Sequence, residues 1–249
     1  MAEQNHTDVV RERILEKLIH AEYMPGHAFK LREMTEDGEF KGLSQTPIRE
    51  ALLQLVAKDI LVGQRGFTVR VPMPTVAGLA EVRSIRIQLE IMAATAGMQD
   101  WTQQGTHRLE QIHGELLQAK AVGDVATILR KNVQFHFALY GQDRMPYLMS
   151  LLRSLWAITG PSIRFLYEEG RPMDVSGHHA HEDVILAMRT QDRHLLEKAI
   201  AQDGSEHGEK ILQVLRDKVS PEALTVQSFQ KMELLRTRAK RGRKIQHEQ

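Results

Sequence analysis

The sequence predicts a mainly α protein, with an N-terminal winged helix-turn-helix followed by an all-helical bundle. Two observations predict this fold class. Apolar residues recur at helical spacing through most of the 249 residues, and residues 60–72 (ILVGQRGFTVRVP) form the one convincing β hairpin. Three helical segments precede the hairpin, and Pro72 and Pro74 follow it. We therefore expect a first domain over residues 1–72 and a helical domain over residues 76–220.

The helical segments of the first domain begin with an apolar stripe that ends at Pro25-Gly26, where proline and glycine stop a helix. The stripe consists of Val9, Val10, Ile14, Leu18 and Ile19. A further helix over residues 45–57 has its apolar face at Ile48, Ala51, Leu52, Leu55 and Val56. Pro47 is compatible with that helix because it falls in the first turn, where backbone N–H groups have no helical partner. Ser44 or Thr46 is expected to cap the turn.

The helix over residues 45–57 has the features of a recognition helix that enters the major groove of DNA. Gln45 and Arg49 lie one turn apart on its outward face. There Arg49 can donate two hydrogen bonds to guanine, and Gln45 can pair with adenine. Thr46 can reach a phosphate, and Arg65 in the glycine-rich turn of the hairpin can follow the neighbouring backbone or minor groove. The alternative for Arg49 is an exposed helix start with no partner.

After Thr75 the apolar residues keep helical spacing to about residue 215. One predicted core stripe consists of Val82, Ile85, Leu89, Met92 and Ala96. Another includes polar members and consists of Ile128, Asn132, Phe135, His136 and Leu139. A helical region from Leu148 to Leu166 is expected to be interrupted at Gly160-Pro161. Helices over residues 181–188 and 195–215 complete the predicted bundle.

Composition and charge restrict the classes of protein that fit. The net charge of +1 gives no bulk attraction to a polyanion, so DNA binding would depend on the local placement of arginines. No apolar run approaches the roughly 20 residues that span a bilayer, and Met1–Thr7 lacks the layout of a signal peptide. The absence of cysteine excludes disulfides and thiolate metal sites and fits a reducing compartment. We therefore expect a cytoplasmic protein.

Residues 221–249 form a basic tail, in which RTRAKRGRK at 236–244 contains six basic residues. The tail has no apolar face, so it is expected to be a solvated, mobile end of the chain. The alternative is a salt-sensitive contact with DNA phosphates.

The N-terminal residues resemble the DNA-binding domain of the GntR family of bacterial transcription regulators, over about residues 9–71. The resemblance rests on Pro25-Gly26, Leu31, the run SQTPIREAL at 44–52 and the wing Arg65-Gly66. The family run is Ser-Arg-Thr-Pro-Val-Arg-Glu-Ala-Leu, so Gln45 stands where arginine is usual and should shift the preferred operator. The DNA contacts that the resemblance implies are Arg32, Ser44, Gln45, Thr46, Arg49, Arg65 and Gly66.

The helical half resembles the FCD ligand-binding domain of the fatty-acid-regulator-like branch of that family, over about residues 78–215. The residues that carry the resemblance are RIQLE at 86–90, Phe135-His136 and HEDVI at 181–185. In that family a helical bundle encloses a pocket, where one Asp and three His bind a divalent metal that helps to hold a small carboxylic acid. The corresponding positions here are Asn132, His136, His181 and Asp203.

Two of these four implied ligands differ from the family, and the changes are complementary because the carboxylate missing at Asn132 reappears at Asp203. Two imidazoles, one carboxylate and one amide oxygen suit Zn²⁺, Ni²⁺ or Mn²⁺. Asn132 and His136 are i, i+4 neighbours on one helix face, and an unpaired carboxylate at Asp203 would be costly to bury. The alternative is a metal-free polar core, in which His136 bonds Asn132 and Asp203 pairs with His207.

Two arginines are candidates for binding the carboxylate of an effector. Arg86 lies on the flank of a core stripe, where its planar guanidinium can bind a carboxylate through two hydrogen bonds. A salt bridge to Glu90, one turn away, is the equally open alternative. Arg164 is a second cationic candidate. His178 and His179 precede a predicted helix and are expected to be loop residues.

Taken together, these features predict a ligand-responsive transcription regulator that binds a palindromic operator as a homodimer, because one short recognition helix reads few base pairs. Double-stranded DNA and a small organic acid are the expected partners, and a divalent metal ion is the expected cofactor. The alternatives are a helical metalloenzyme that acts on an organic acid and a winged-helix protein-interaction module. The sequence has no Ser/His/Asp order, no HExxH motif and no phosphate-binding glycine loop, so we expect no enzyme.

Overall fold

The computed structural model describes residues 6–36, 38–64, 68–140, 145–167 and 178–218. Its helices are α1 (His6–Ile19), α2 (Leu31–Glu36), α3 (Gln45–Ala57), α4 (Val76–Met98), α5 (Gln103–Val122), α6 (Val125–Leu139), α7 (Pro146–Ile163), α8 (Ala180–Thr190) and α9 (Arg193–Lys218). A 3₁₀ helix over Arg164–Tyr167 follows α7, and the strands are β1 (Ala28–Phe29), β2 (Val62–Gln64) and β3 (Thr68–Arg70). The predicted fold class is confirmed. None of the helices in the described ranges is long and apolar enough to cross a lipid bilayer.

The first domain has the topology of a winged helix. β2 and β3 pair antiparallel, as the hairpin pattern predicts, and β1 adds a third strand on the other side of β3 that the sequence pattern does not predict. α3 buries one face, formed by Ile48, Ala51, Leu52 and Leu55. On α1, Val9 is 42% exposed, so it does not belong to the core stripe predicted for it. The wing residues Arg65 and Gly66, like the tail 221–249, lie outside the described residues.

Helix α4 turns a different face to the core from the one that its apolar spacing predicts. Its buried residues are Leu79, Ile87, Glu90, Ala93, Ala94 and Met98. Ile85 and Met92 of the predicted core stripe are 44% and 54% exposed, so that prediction is wrong. The small residues on the buried face allow close packing, and Gly204 of α9 leaves room for the Ile87 side chain, which an added Cβ would approach to 2.7 Å. Close approach of α9 therefore decides which face is buried.

Helix α7 joins the two domains. It continues through Gly160-Pro161 to Ile163, so the interruption predicted there is wrong. α7 packs against α1, and Trp156 and Ala157 belong to the same apolar cluster as the winged-helix core. A Cβ added to Gly160 would lie 2.3 Å from the Leu18 carbonyl oxygen, so only glycine allows this approach. The expected domains over 1–72 and 76–220 therefore share a continuous core across α1 and α7.

Gly160→Ala is expected to destabilise the protein, because the methyl group must push α7 away from the α1 backbone. An overpacked core residue costs about 1–3 kcal/mol in the free energy of unfolding. Gly114→Ala in α5 is the matched control, because a Cβ there meets no atom within 4 Å and alanine is the better helix former by about 1 kcal/mol. Thermal unfolding of both variants checks this: equal midpoints for Gly160→Ala and wild type would contradict the close α1–α7 contact.

Candidate functional sites

The outward face of α3 presents the residues predicted to read DNA. Gln45, Thr46 and Arg49 are exposed in its first turns, while the opposite face is buried in the domain core. Ser44 is the N-cap residue in extended conformation, and its side chain makes no capping hydrogen bond within the described part of the chain. The amino-terminal end of α3 therefore presents a hydroxyl and backbone N–H groups, which suit a phosphate.

Arg32, the remaining described member of the predicted DNA contacts, lies on α2. It is 81% exposed, and its Nε is 2.8 Å from Glu36 Oε1, one helical turn away. An exposed pair of this kind contributes little to stability, so Arg32 can exchange Glu36 for a phosphate at small cost. Arg65 and Gly66 lie outside the described residues, so their predicted contacts stay predictions.

A cluster of ionisable side chains lies in the core of the bundle, where four helices meet. Glu90 of α4, His136 of α6, His181 of α8 and Asp203 of α9 are each at most 5% exposed. His136 bridges two carboxylates, with Nδ1 3.3 Å from Glu90 Oε2 and Nε2 3.2 Å from Asp203 Oδ2. His181 Nε2 is 3.9 Å from Asp203 Oδ1. The structure thus brings together three residues that the family resemblance implies as metal ligands.

The charges in the cluster stabilise one another. Burial by itself lowers the pKa of His136, but hydrogen bonds to Asp203 and Glu90 outweigh burial and raise that pKa to about 9. Burial favours a neutral Asp203, yet the charge of His207 and the hydrogen bond from His136 hold the pKa of Asp203 well below its usual value. Burial keeps the pKa of His181 well below 6.5, because it outweighs the nearby charge of Asp203, and the charge of His136 lowers this pKa further. In the absence of a metal, His136 is therefore the cationic imidazole and His181 the neutral one.

The donor set fits a divalent metal ion. One ligand atom from each of His136, His181 and Asp203 lies within 4.8 Å of the others. Neither ring nitrogen of the fully buried His181 has a hydrogen-bond partner among the described residues, which a ligated ion would remedy. A small cavity lies beside His136 and Asp203, and Asn132 and His207 also line it. His207 Nδ1 is 3.3 Å from Asp203 Oδ1. The Asp203–His207 pair of the metal-free alternative is therefore present, and Asn132 lines the cavity together with His136 and Asp203.

Arg86 also lines this cavity. It forms the salt bridge to Glu90 that the sequence offered as an alternative to binding an effector. Its Nε is 2.9 Å from Glu90 Oε1, and its Nη1 donates to Thr159 Oγ1 at 2.7 Å. The guanidinium carbon lies 4.2 Å from the ring centre of Trp156, which is a cation–π contact. The cavity beside it has a volume of about 50 Å³. That volume holds an ion with a few water molecules.

Arg164 is not among the residues around this cavity. Its Nη1 donates to the carbonyl oxygen of Ala21, beyond the end of α1, at 3.2 Å. The position of Arg164 therefore does not favour the effector contact predicted for it. The guanidinium instead satisfies a backbone carbonyl where the first domain meets the bundle.

Two histidines near the cluster were not predicted as part of a site. His113 lies in α5 on the stripe Leu109, Ile112, His113 and Leu116, whose helical spacing was the available signal. His179, predicted in a loop, is the half-buried N-cap of α8, and its Nδ1 accepts a hydrogen bond from the His181 backbone N–H. His178 fits its prediction, since it is exposed and pairs with Glu182 and Asp183. The sequence predicts the carboxylate of Glu90 as a partner of Arg86 but not of His136.

Comparison with known proteins agrees with these features. The FCD domain family matches residues 81–203. The HTH-type transcriptional regulator McbR of Escherichia coli (strain K12) is 32% identical over 167 residues, which cover 65% of this chain and 76% of McbR. The solved structure of E. coli McbR/YncC has a TM-score of 0.77 at 27% identity and covers 86% of this chain and 99% of its own.

A putative GntR regulator from Rhodococcus sp. RHA1 has a TM-score of 0.62 over 83% of this chain and 97% of its own; at 15% identity, it shows similarity of fold alone. These relatives are regulators and not enzymes, in agreement with the expectation from the sequence. The winged helix, the FCD bundle and the similarity to McbR lead to one conclusion: the chain belongs to the GntR family of transcription regulators, in the branch with an FCD domain.

Proposed function

We propose that this regulator binds a palindromic operator as a homodimer and changes its DNA affinity when a small carboxylic acid enters the bundle beside a divalent metal ion. The observation that carries the proposal is the cavity lined by Arg86, Asn132, His136 and Asp203. A guanidinium and a metal-ligand set at one small cavity are complementary to a carboxylate. The exposed face of α3 is the surface that would bind the operator.

The metal ion would be held by His136, His181 and Asp203, with the Asn132 amide oxygen as a fourth ligand. Glu90 lies next to His136 Nδ1, so it orients the ring and leaves Nε2 for the ion, as second carboxylates commonly do at metal-bound histidines. Zn²⁺, Ni²⁺ and Mn²⁺ suit this mixture of nitrogen and oxygen donors. When bound, the ion supplies positive charge for an effector carboxylate and ties α6, α8 and α9 together.

An effector that binds Arg86 would act on α7. The cavity of about 50 Å³ is smaller than most organic acids, so the acid must displace water and move its neighbours. Thr159 and Trp156, both on α7, hold the Arg86 guanidinium. An acid that takes the guanidinium competes with the Thr159 hydroxyl and therefore changes the packing of that helix.

A chain of contacts leads from α7 to the recognition helix. α7 packs on α1 at Gly160, and α1 holds α3 through Thr7, which donates to Glu50 at 3.0 Å, and Arg11, which donates to Gln54 at 2.9 Å. This route supports coupling through α1. A second route is the short connection at Pro72–Pro74, which leads directly into α4. In either case the effector changes DNA affinity only if it prefers one arrangement of the domains.

The exposed stripe of α4 supports the homodimer. Ile85 and Met92, two turns apart, are 44% and 54% exposed, on the face opposite the buried one. Apolar residues that recur on one solvent-facing side of a helix are typical of an interface between subunits. A two-fold axis through this face would present two recognition helices to two half-sites.

Arg49→Ala is expected to relax base preference at one position of each half-site, because Arg49 is predicted to donate to a guanine. The change should weaken binding to the preferred operator by about 1–3 kcal/mol. Selection from random duplexes measures the base preference, and fluorescence anisotropy measures the operator affinity. Arg189→Ala is the control, because Arg189 is an exposed residue of the bundle. A uniform loss of affinity across all sequences would show that Arg49 contacts phosphate.

Met92→Glu is expected to convert a dimer into a monomer, because it places a charge in the middle of the proposed interface. Val122→Glu is the matched control, since Val122 is 79% exposed on α5, away from the α4 stripe. Sedimentation velocity at micromolar concentration gives the mass of each variant. A wild-type protein that is monomeric, or a dimer that Met92→Glu leaves intact, would contradict the interface.

The pKa of His136 gives a test of metal ligation. In metal-free protein the proton on His136 stabilises the fold fully below pH ~6.5, the ordinary value in an unfolded chain, and this contribution is lost as the pH rises through about 9. A ligated ion takes the place of that proton. Imidazole ¹H–¹⁵N spectra should show a titration near pH 9, assigned with His136→Gln, that disappears with Zn²⁺. Persistence with saturating Zn²⁺ would contradict His136 as a ligand.

Arg86→Lys is expected to weaken effector binding but to preserve effector-free DNA binding. Lysine keeps a positive charge near Glu90, which alanine would leave unpaired, yet it loses the bidentate geometry. Organic acids that raise the melting temperature are then added to operator titrations of wild type, Arg86→Lys and the control Arg189→Lys. We expect a change in operator affinity of about 5–150-fold in wild type. Acids that stabilise the protein and leave operator affinity unchanged would remove the switch from the proposal.

A further inference from the structure

A second group of histidines lies beside the first cluster. His113 of α5, His179 at the N-cap of α8 and His181 of α8 each offer a ring nitrogen, and these atoms lie within 4.8 Å of one another. The ring centres are 5.2 Å apart for His113 and His179, 5.4 Å for His113 and His181, and 4.3 Å for His179 and His181. Two imidazoles on one tetrahedral ion, with metal–nitrogen bonds of roughly 2.0–2.1 Å, have ring centres about 5 Å apart.

The ring nitrogens of His113 and His181 lack hydrogen-bond partners in the described structure. His113 is 6% exposed and His181 is fully buried, and neither nitrogen of either ring has a hydrogen-bond partner among the described residues. Buried polar atoms without partners are rare and costly. Burial lowers the pKa of His113, and burial together with the charge of Lys120 lowers that of His179 to about 3. All three rings are therefore neutral, which is the form that binds metals.

We propose that His113, His179 and His181 form a second site for a divalent transition metal ion, adjacent to the proposed first site. Three neutral imidazoles favour Zn²⁺, Ni²⁺ or Cu²⁺ over Mg²⁺ or Ca²⁺. Glu182, whose Oε1 is 3.8 Å from His113 Nε2, supplies the fourth ligand. The ion would join α5 to the start of α8 and satisfy the nitrogens that the fold leaves without partners.

Four features make this site weaker than the first. The charge of Lys120 and the amino-terminal end of α8 both oppose a cation here. His179 Nδ1 also accepts the 3.2 Å hydrogen bond from the His181 N–H, so His179 must give up this cap or exchange its tautomer to ligate. His181 has one nitrogen near Asp203 and one remaining for the second ion, so filling both sites makes it a bridging imidazolate and releases its proton to solvent.

The experiment is a Zn²⁺ titration of the full-length protein after removal of metals by chelation, followed by calorimetry and by elemental analysis. We expect two ions per chain, the second at a higher free Zn²⁺ concentration. His113→Gln and His179→Gln should each lose the weaker ion, His136→Gln the tighter one, and His181→Gln both. His107→Gln is the matched control, since His107 is an exposed histidine on the same helix as His113. Circular dichroism of the metal-free variants shows that each is folded.

Each outcome separates this site from the first. One ion per chain that is lost in His113→Gln and His179→Gln but kept in His136→Gln supports the three-histidine site and contradicts the first. One ion that is lost in His136→Gln and unaffected by the other two changes overturns this inference. A second ion that survives both His113→Gln and His179→Gln is bound elsewhere on the chain, and it also overturns the inference. If His113→Gln does not fold, His179→Gln decides, because the half-buried His179 tolerates the change better.

Discussion

The bundle depends on a chain of alternating charges in its core. Arg86, Glu90, His136 and Asp203 follow one another from cation to anion, and each ion is taken out of water, which costs several kcal/mol unless a partner of opposite sign is in place. Because these residues come from α4, α6 and α9, the helices must keep the positions in which the charges pair. The cluster therefore constrains the packing of the bundle as well as forming the proposed binding site. Removing one of its charges would leave a partner buried and unpaired.

The same cluster explains how a metal site can be proposed here although Asn132 and Asp203 differ from the family pattern. The FCD pattern has its carboxylate at the position of Asn132 and an imidazole at the position of Asp203. In this chain the carboxylate is supplied by Asp203 of α9, and it lies between His136 and His207. The negative charge thus remains in the cluster and approaches it from another helix. Glu90, salt-bridged to Arg86, adds a second carboxylate that orients His136.

Helix α7 is the element through which the two domains meet. One side of it, at Trp156 and Thr159, contacts the charged cluster, and Gly160 lies against the α1 backbone. Thr159 and Trp156 of α7 contact the Arg86 guanidinium, so an effector that bound this group would change contacts of α7. Tightly packed helices move as units and do not deform continuously, so in the proposed switch a shift of α7 would be passed to α1 and the winged helix. This route follows from the close contact of Gly160 with the α1 backbone, where an added Cβ would lie 2.3 Å from the Leu18 carbonyl oxygen.

The sequence by itself determined the fold class, the helix over residues 45–57, the hairpin, and His136, His181 and Asp203 as members of one predicted site, because helical spacing, turn residues and family motifs are local in the chain. It did not determine which face of α4 is buried: Ile85 and Met92 fit an apolar stripe, whereas the face with Ala93, Ala94 and Glu90 allows α9 to approach and Arg86 to be paired. Only the tertiary structure brought His113 next to His179 and His181, since α5 and α8 are far apart in sequence. Long-range packing also carried α7 unbroken through Pro161, because the contact of Gly160 with α1 is a property of two helices and not of either alone.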